Sequence, residues 1–376
     1  MKSKRVSLYL LLLGIGLFVS CGGERNYSVE TKNGIRIVHN RQPDSSESTT
    51  HLEFVRRIGE MESEDENLMF VSPLHAARDG DGNLFVLDSQ DCCVKKFDSD
   101  GNFLLKFGRQ GQGPGEFQYP GLLRIGGENR LFVECMDSTY QIFDLMGHYI
   151  DRFSVGRYEG LFMQVMKSGN MVGYSMNNRG ENSRENKILK IFDPEGKTLH
   201  QFGEPMLLTN TGDSWSANFL SLSLDLEDNI LASFTYQNRI DKYSPTGELL
   251  MTIDRELPFP VEHKIVKQTL EIGGQLRQID RVKSTSVSRG MGLDRLSRIW
   301  VLGFIKEVPE IKEWDEFIPQ DFLAFEVYNP DGILLFHVPL PGEIKSFDNF
   351  VMFENTVYFI DPHTDCCVFE YKIIDE

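Results

Sequence analysis

The chain has 376 residues, 40% of them hydrophobic and 25% charged, with a formal net charge of −17 at pH 7. That acidity argues against a nucleic-acid binder held by phosphate contacts, and against direct docking on anionic lipid. The length suits either two ordinary domains or one large repeat fold.

At the N-terminus Lys2, Lys4 and Arg5 precede an apolar run from Val6 to Val19, which is too short for a comfortable membrane span and reads as an export signal. Ser20 then stands directly before Cys21, a small residue followed by cysteine that resembles a bacterial lipobox. The resemblance implies cleavage before Cys21 and acylation of its thiol, with roughly 0.8 kcal/mol of membrane affinity per buried methylene. Phe18 stands where leucine is usual, so a plain secretory signal is the alternative. Loss of residues 1–20 removes three positive charges and takes the chain from −17 to −20. Residues 21–50, rich in Ser, Thr, Asn and charge and containing Pro43, read as a tether, which leaves residues 51–376 for the folded body.

That body repeats. Leu84–Val86, Val94–Phe97, the turn Asp98–Gly101 and the run Phe103–Gly108 form one copy. The same order returns around Phe143, Phe192, Tyr243, Tyr328 and Tyr371, the aromatics that end each third strand, at spacings of 46, 49, 51, 85 and 43. Short β-branched runs separated by Asp, Asn and Gly turns are strand and hairpin chemistry, and a four-stranded unit of forty-odd residues is a propeller blade. The interval of 85 holds an insertion over 257–287 with a helical pattern at Ile265, Leu270 and Ile272, so the count is six blades. The sixth copy lacks an outer strand, and the orphan run Leu52–Gly59 matches the missing piece. The expected fold is therefore an all-β, six-bladed propeller closed by an N-terminal strand that completes the C-terminal blade.

The segment Gly108 to Phe117, reading Gly-Arg-Gln-Gly-Gln-Gly-Pro-Gly-Glu-Phe and followed by Tyr119 and Pro120, resembles the signature between blades of NHL-type repeats. From Cys21 onward the chain resembles six-bladed β-propeller lipoproteins of Gram-negative gut anaerobes, a likeness that implies fold and implies little of function.

Strand order assigns each loop to a face. The turns between first and second strands and between third and fourth strands, such as Gly80–Asn83 and Ser99–Gly101, are short and uniform. The other face collects long, dissimilar connections: 109–119, 174–186, 203–217, 254–287 and 303–320. Long loops on a rigid scaffold are where binding residues gather. Candidate ligand contacts on that face are Arg109, Arg157, Tyr158, Arg179, Trp215, Tyr236, Arg239 and Trp314, because Tyr, Trp and Arg give large contact area with directional donors. Any of them could equally cap a blade or pair with the excess acid.

Innermost strands place His75, Arg124, Ser221, Ser223, Gly290 and Gly292 around the axial channel, with His75 the channel candidate and the set as a whole a poor one for a metal. Cys92–Cys93 and Cys366–Cys367 read as thiols packed between blades or as strained vicinal disulfides, and a four-thiol metal site is the less simple reading. Cys135 reads as a buried thiol. No phosphate loop, nucleophile elbow or paired-histidine motif is present. The expected function is a non-enzymatic binding module in the cell envelope, at the periplasm or outer membrane. It takes a glycan, peptide or envelope protein on the long-loop face, uses neither cofactor nor metal, and touches the membrane only through its lipid anchor. The alternative is a hydrolase or lyase working at the mouth of the axial channel.

Overall fold

A computed structural model describes residues 25–45, 49–60, 62–176, 187–208, 216–309 and 317–375. Five blades are built from consecutive antiparallel strands. Blade one runs Pro73–Arg78, Leu84–Asp88, Cys93–Phe97 and Phe103–Phe107. Blade two is Leu122–Gly126, Arg130–Cys135, Thr139–Phe143 and Tyr149–Ser154. Blade three is Leu161–Val165, Met171–Tyr174, Leu189–Phe192 and Thr198–Phe202. Blade four is Leu220–Leu224, Ile230–Phe234, Ile240–Tyr243 and Leu249–Arg255, and blade five is Ser288–Leu293, Ile299–Phe304, Leu323–Tyr328 and Leu334–Pro339.

The sixth blade takes Asn349–Phe353, Thr356–Asp361 and Cys367–Ile374 from the C-terminus and its outer strand, His51–Ile58, from the N-terminus. The pairing runs from Val368 opposite Ile58 to Ile374 opposite His51, so the ring closes as the orphan run implies. Each innermost strand touches the next around the full circle.

The apolar core lies between blades. Six buried clusters are resolved among the described residues, one at each interface between neighbouring blades. The third-strand aromatics anchor them: Phe97, Phe143, Phe192, Tyr243, Tyr328 and Tyr371 are all buried. Burying such a ring contributes about 1.5–3 kcal/mol by transfer arithmetic. No helix among the described residues is long and apolar enough to cross a membrane.

Two expectations need correction. Within the presumed tether, Tyr27–Lys32 and Ile35–Asn40 form a hairpin that adds to the outer edge of blade four, Ile35–Asn40 pairing in parallel with Leu249–Arg255. The Asn33–Gly34 turn has φ of 54° and 83°, the conformation a tight hairpin requires. Val38 is fully buried, and Asn40 exchanges hydrogen bonds with Asp254, Gly332 and Leu334. Polar composition concealed a strand with one buried side.

The insertion after blade four is likewise a two-stranded arm, His263–Ile272 paired along its length with Gln275–Ser284, and no helix forms there. Gly273 and Gly274 turn at positive φ, and the flanking β-branched residues favour strands. The apparent helical spacing of Ile265, Leu270 and Ile272 was incidental.

A long-loop cavity and the axial channel

The short-turn face repeats one local solution. Asp79, Asp98, Asp144, Asp193, Asp225 and Asp294 each accept backbone N–H bonds two and four residues on through Oδ1. The side chain of the first turn residue thus satisfies the donors of the tight turn, leaving that face closed and uniform.

The opposite face has no common device, and a cavity of about 1070 Å³ opens there between blades four and five, beneath the base of the arm. Its wall carries the hydroxyl residues Thr235, Tyr236, Ser284, Thr285 and Ser286, with Arg289, Lys264 and Asp348 among its charges. Lys264 pairs with Glu262, and the Asp348 carboxylate accepts from Nε2 of His363 at 2.9 Å. Arg289 is different. Its guanidinium lies over the Phe347 ring at 5.5 Å, and among the described residues it has neither a hydrogen bond nor an ion pair. It stands where the ladder between Ser288–Leu293 and Ile299–Phe304 shifts register, between Ser288 and Gly290. Such a bulge re-aims a side chain out of the strict alternation of a strand.

Beneath this blade four to five interface the floor is held by a buried ion pair. Arg255 Nε donates to Glu326 Oε1 at 2.5 Å, and its other nitrogens reach Asn238 Oδ1 at 3.0 Å and the Val287 carbonyl at 3.2 Å. Tyr328 completes the set by donating to Glu326 Oε2 at 3.0 Å.

A second cavity of about 560 Å³ follows the propeller axis and shares Thr235, Arg289 and Asp348 with the first. His75, Arg124, Ser221, Ser223, Gly290 and Gly292 all line it, as the strand register implies. His75 is buried, and both ring nitrogens are engaged: Nδ1 lies 3.0 Å from the Ala76 carbonyl and Nε2 2.5 Å from Arg124 Nη1. An arginine can only donate, so Nε2 accepts and Nδ1 carries the proton. Burial, reinforced by the Arg124 charge, pushes the histidine pKa well below its usual value, leaving a neutral ring. Glu134 sits close by, its carboxyl raised to about 7 by burial against the opposing pull of Arg124 and Tyr140. Tyr140 itself donates to the Gly160 carbonyl at 2.6 Å. These groups satisfy one another, and among the described residues no three His, Cys, Asp or Glu side chains group as metal ligands.

Of the sequence candidates among the described residues, Tyr236 alone lines the cavity. Arg109 is exposed and binds Glu116 of its own crossing, with Nε at 3.0 Å. Arg157 lies over the Tyr158 ring at 4.9 Å and pairs with Asp137 at 3.3 Å, so both belong to the crossing from blade two to three. Arg239 packs on Phe234 at 4.1 Å, 3.3 Å from Asp241, and is a blade cap. Arg179, Trp215 and Trp314 lie outside the described residues, as does Cys21. The reasoning missed Arg289, because strand alternation gave its neighbours to the channel and offered no sign of the bulge.

The remaining cysteines, Cys92, Cys93, Cys135, Cys366 and Cys367, are buried thiols. Cys92 and Cys366 occupy left-handed backbone at φ 50° and 46°, equivalent places at the second-to-third turns of blades one and six. The NHL-like glycines serve the crossing: Gly108 has φ +87°, and a Cβ there would meet the Phe117 ring at 2.2 Å.

Solved structures share the architecture. A Bacteroides fragilis protein described as exported matches with TM-score 0.56 at 10% identity, covering 90% of this chain and 99% of its own. A Bacteroides vulgatus member of the DUF4221 family matches with TM-score 0.57 at 9% identity, over 94% and 100%. A Streptomyces coelicolor aldose sugar dehydrogenase, solved with PQQ bound, reaches 0.50 at 10%, over 88% and 100%. At such identities the likeness is one of fold. No curated protein matches this sequence. The family described as a 6-bladed beta-propeller, DUF5128, matches residues 26–254, and with closed topology and six interfaces in agreement the chain belongs to that family.

Proposed function

We propose that this protein is an exported, lipid-anchored binding protein that holds an acidic glycan segment in the long-loop cavity. One observation carries the reading: the Arg289 guanidinium, with no hydrogen bond or ion pair among the described residues and only the Phe347 ring beneath it and the Asp348 charge nearby, stands at a large cavity whose wall is rich in hydroxyls. Hydroxyls both donate and accept, which suits a sugar, and a planar guanidinium suits a carboxylate bound through two nitrogens. Peptides and partner proteins bearing carboxylates are the competing ligands.

Binding of the purified protein to arrays of uronic-acid glycans, neutral glycans and acidic peptides tests the reading, followed by titration calorimetry. Arg289→Ala is expected to weaken capture by ten- to a hundredfold, and Tyr236→Ala by less, with the melting temperature unchanged. Unaltered capture by Arg289→Ala refutes the site, and preference for peptides moves the ligand class. Export and anchoring rest on the Val6–Val19 run and Cys21, so Cys21→Ala is expected to shift the protein from the membrane to the soluble fraction.

The rival, a hydrolase or lyase at the axial channel, draws on the polar cluster around His75. Both ring nitrogens of His75 are occupied, which disfavours a proton-transfer role. Turnover of any captured ligand that His75→Gln abolishes, with binding intact, would favour the rival.

A further inference from the structure

The arm formed by His263–Ile272 and Gln275–Ser284 is about 33 Å long at strand rise, and its substantial contact outside its own pairing is with the turn Ser216–Asn218 at its base. Both long edges and most side chains are exposed. Its sequence carries five Lys and Arg against two Asp and Glu, in a chain of net charge −17. The pairing of Lys264 with Lys283, Val266 with Arg281 and Leu270 with Arg277 places four cations and apolar residues at positions of one face. Lys264 and Lys283 stand at the base beside the cavity, Lys264 paired with Glu262, and Arg281 and Arg277 are the cations towards the tip. On that face Val266 is 38% exposed, and on the other face Leu276 at the tip is 77% and Ile265 further down 53% exposed.

The start of the described chain supplies an independent observation. Tyr27 pairs with Asn40, Asn40 pairs with Arg255, and the Glu256 amide donates to the Asn40 carbonyl. Arg25 therefore emerges at the corner of blade four where the crossing into the arm begins. Cys21 lies only four residues earlier, a reach of about 14 Å.

We infer that the arm is a membrane-contacting element that lays its basic face against a leaflet containing anionic phospholipid and so fixes how the anchored propeller stands. The inference rests on the lipid-anchored reading for its geometry, since acylation at Cys21 holds the arm's corner of blade four at the membrane. The acidity of the whole chain does not oppose it. Charges are screened over about 8 Å at physiological salt, and the arm extends several such lengths from the acidic body. Basic side chains near an anionic surface act locally and add up, and exposed apolar residues near the tip complement the headgroup boundary.

The test uses the exported full chain carrying Cys21→Ala, so that no acyl chain contributes. It is sedimented with vesicles of phosphatidylcholine alone and of phosphatidylcholine with 30% phosphatidylglycerol. Salt-sensitive binding to the anionic vesicles alone is expected. The double variant Arg277→Gln, Arg281→Gln, which removes the two cations of that face nearest the tip, should lower it on the order of thirtyfold, at about fivefold per cation. Leu276→Ser should lower it by a smaller factor, and all variants should melt with the parent because the arm lies outside the core. Equal binding to both vesicle types, no binding to either, or full binding by the double variant overturns the inference, as does loss of glycan or protein capture in place of vesicle binding. Failure of the anchor reading is seen separately, as a chain with Cys21 intact that fractionates as soluble.

Discussion

The two faces of the ring solve the same problem, how to reverse a strand, in different ways. On the short-turn face an Asp carboxylate satisfies the turn donors within five residues, so each turn is shaped locally, and only a few bonds such as Lys167 N to Asp228 tie one turn to the next. On the long-loop face the connections are held by partners far away in sequence, as when Arg255 reaches Glu326 and Val287. A face built from local turns has nothing left over for a ligand. A face built from long-range contacts can leave a cavity and a guanidinium that, among the described residues, makes no hydrogen bond.

The largest effect expected from breaking this architecture belongs to the closing strand. Deleting residues 49–58 leaves the Cys367–Ile374 edge of blade six unpaired and removes Ile58, which is 4% exposed, from its cluster with Phe70, Phe97 and Val368, so we expect loss of cooperative folding or a drop in melting temperature of tens of degrees. Removing the hairpin at 27–40 exposes only Val38 and the polar ties of Asn40, and should cost clearly less. Thermal melts of both truncations by circular dichroism decide the order, and equal losses would mean that the ring does not depend on its closure.

The next effect sits under the long-loop cavity. Replacing Arg255 by Met leaves Glu326 buried with only Tyr328 for a partner, and should cost about 3–5 kcal/mol in urea unfolding. A cost below about 1 kcal/mol would show that solvent reaches the pair. Because Val287 and Asn238 also hang on this arginine, ligand capture should fall with it.

Much of this fold was legible because blades are local. Third-strand aromatics, Asp-to-Gly turns and the spacing between them identify a blade with no knowledge of its neighbours, and the orphan run at 52–59 shows where the ring closes. The hairpin at 27–40 was hidden because only Val38 and Asn40 are buried, too few apolar positions to show a period. The arm was misread because both its faces are exposed, so no buried side imposed alternation on its sequence. At the site, Tyr236 was found from loop length and residue type. Arg289 was not, since a bulge is a property of two strands in register and neither strand shows it alone.

A smaller effect separates the channel wall from both faces. Glu134 has a folded-state pKa of about 7 against a usual 4.5. Between those values the unfolded chain gives up its proton while the folded chain keeps it, so stability falls as pH rises through that window and stays lower above 7. His75 acts oppositely, its depressed pKa removing stability as pH falls below about 6.5. Glu134→Gln should match the parent near pH 3.5, below the unfolded pKa, and exceed it by about 1–3 kcal/mol at pH 8.5, using 1.36 kcal/mol per unit as the upper guide. Urea melts at the two pH values measure it, and a variant that trails at pH 8.5 would mean that Glu134 gains more from Arg124 than it loses to burial.

The smallest effect is expected where the comparison began, on the short-turn face. Asp100 and Glu195 are exposed at the tips of third-to-fourth turns, each two residues after the Asp whose carboxylate holds the turn. Asp100→Lys with Glu195→Lys keeps Asp98 and Asp193 and changes only surface charge, so stability should move within about 0.5 kcal/mol. Capture of the ligand should not change, because the substitutions lie across the ring from Arg289 and beyond the screening length of salt. Asp98→Ala at the same turn removes the carboxylate that accepts from residues 100 and 102, and should cost about 1 kcal/mol without touching capture. Calorimetry on the double-lysine variant beside Arg289→Ala makes the two faces directly comparable. If the lysines alone abolish capture, the ligand sits on the uniform face, and the loop asymmetry has no functional meaning.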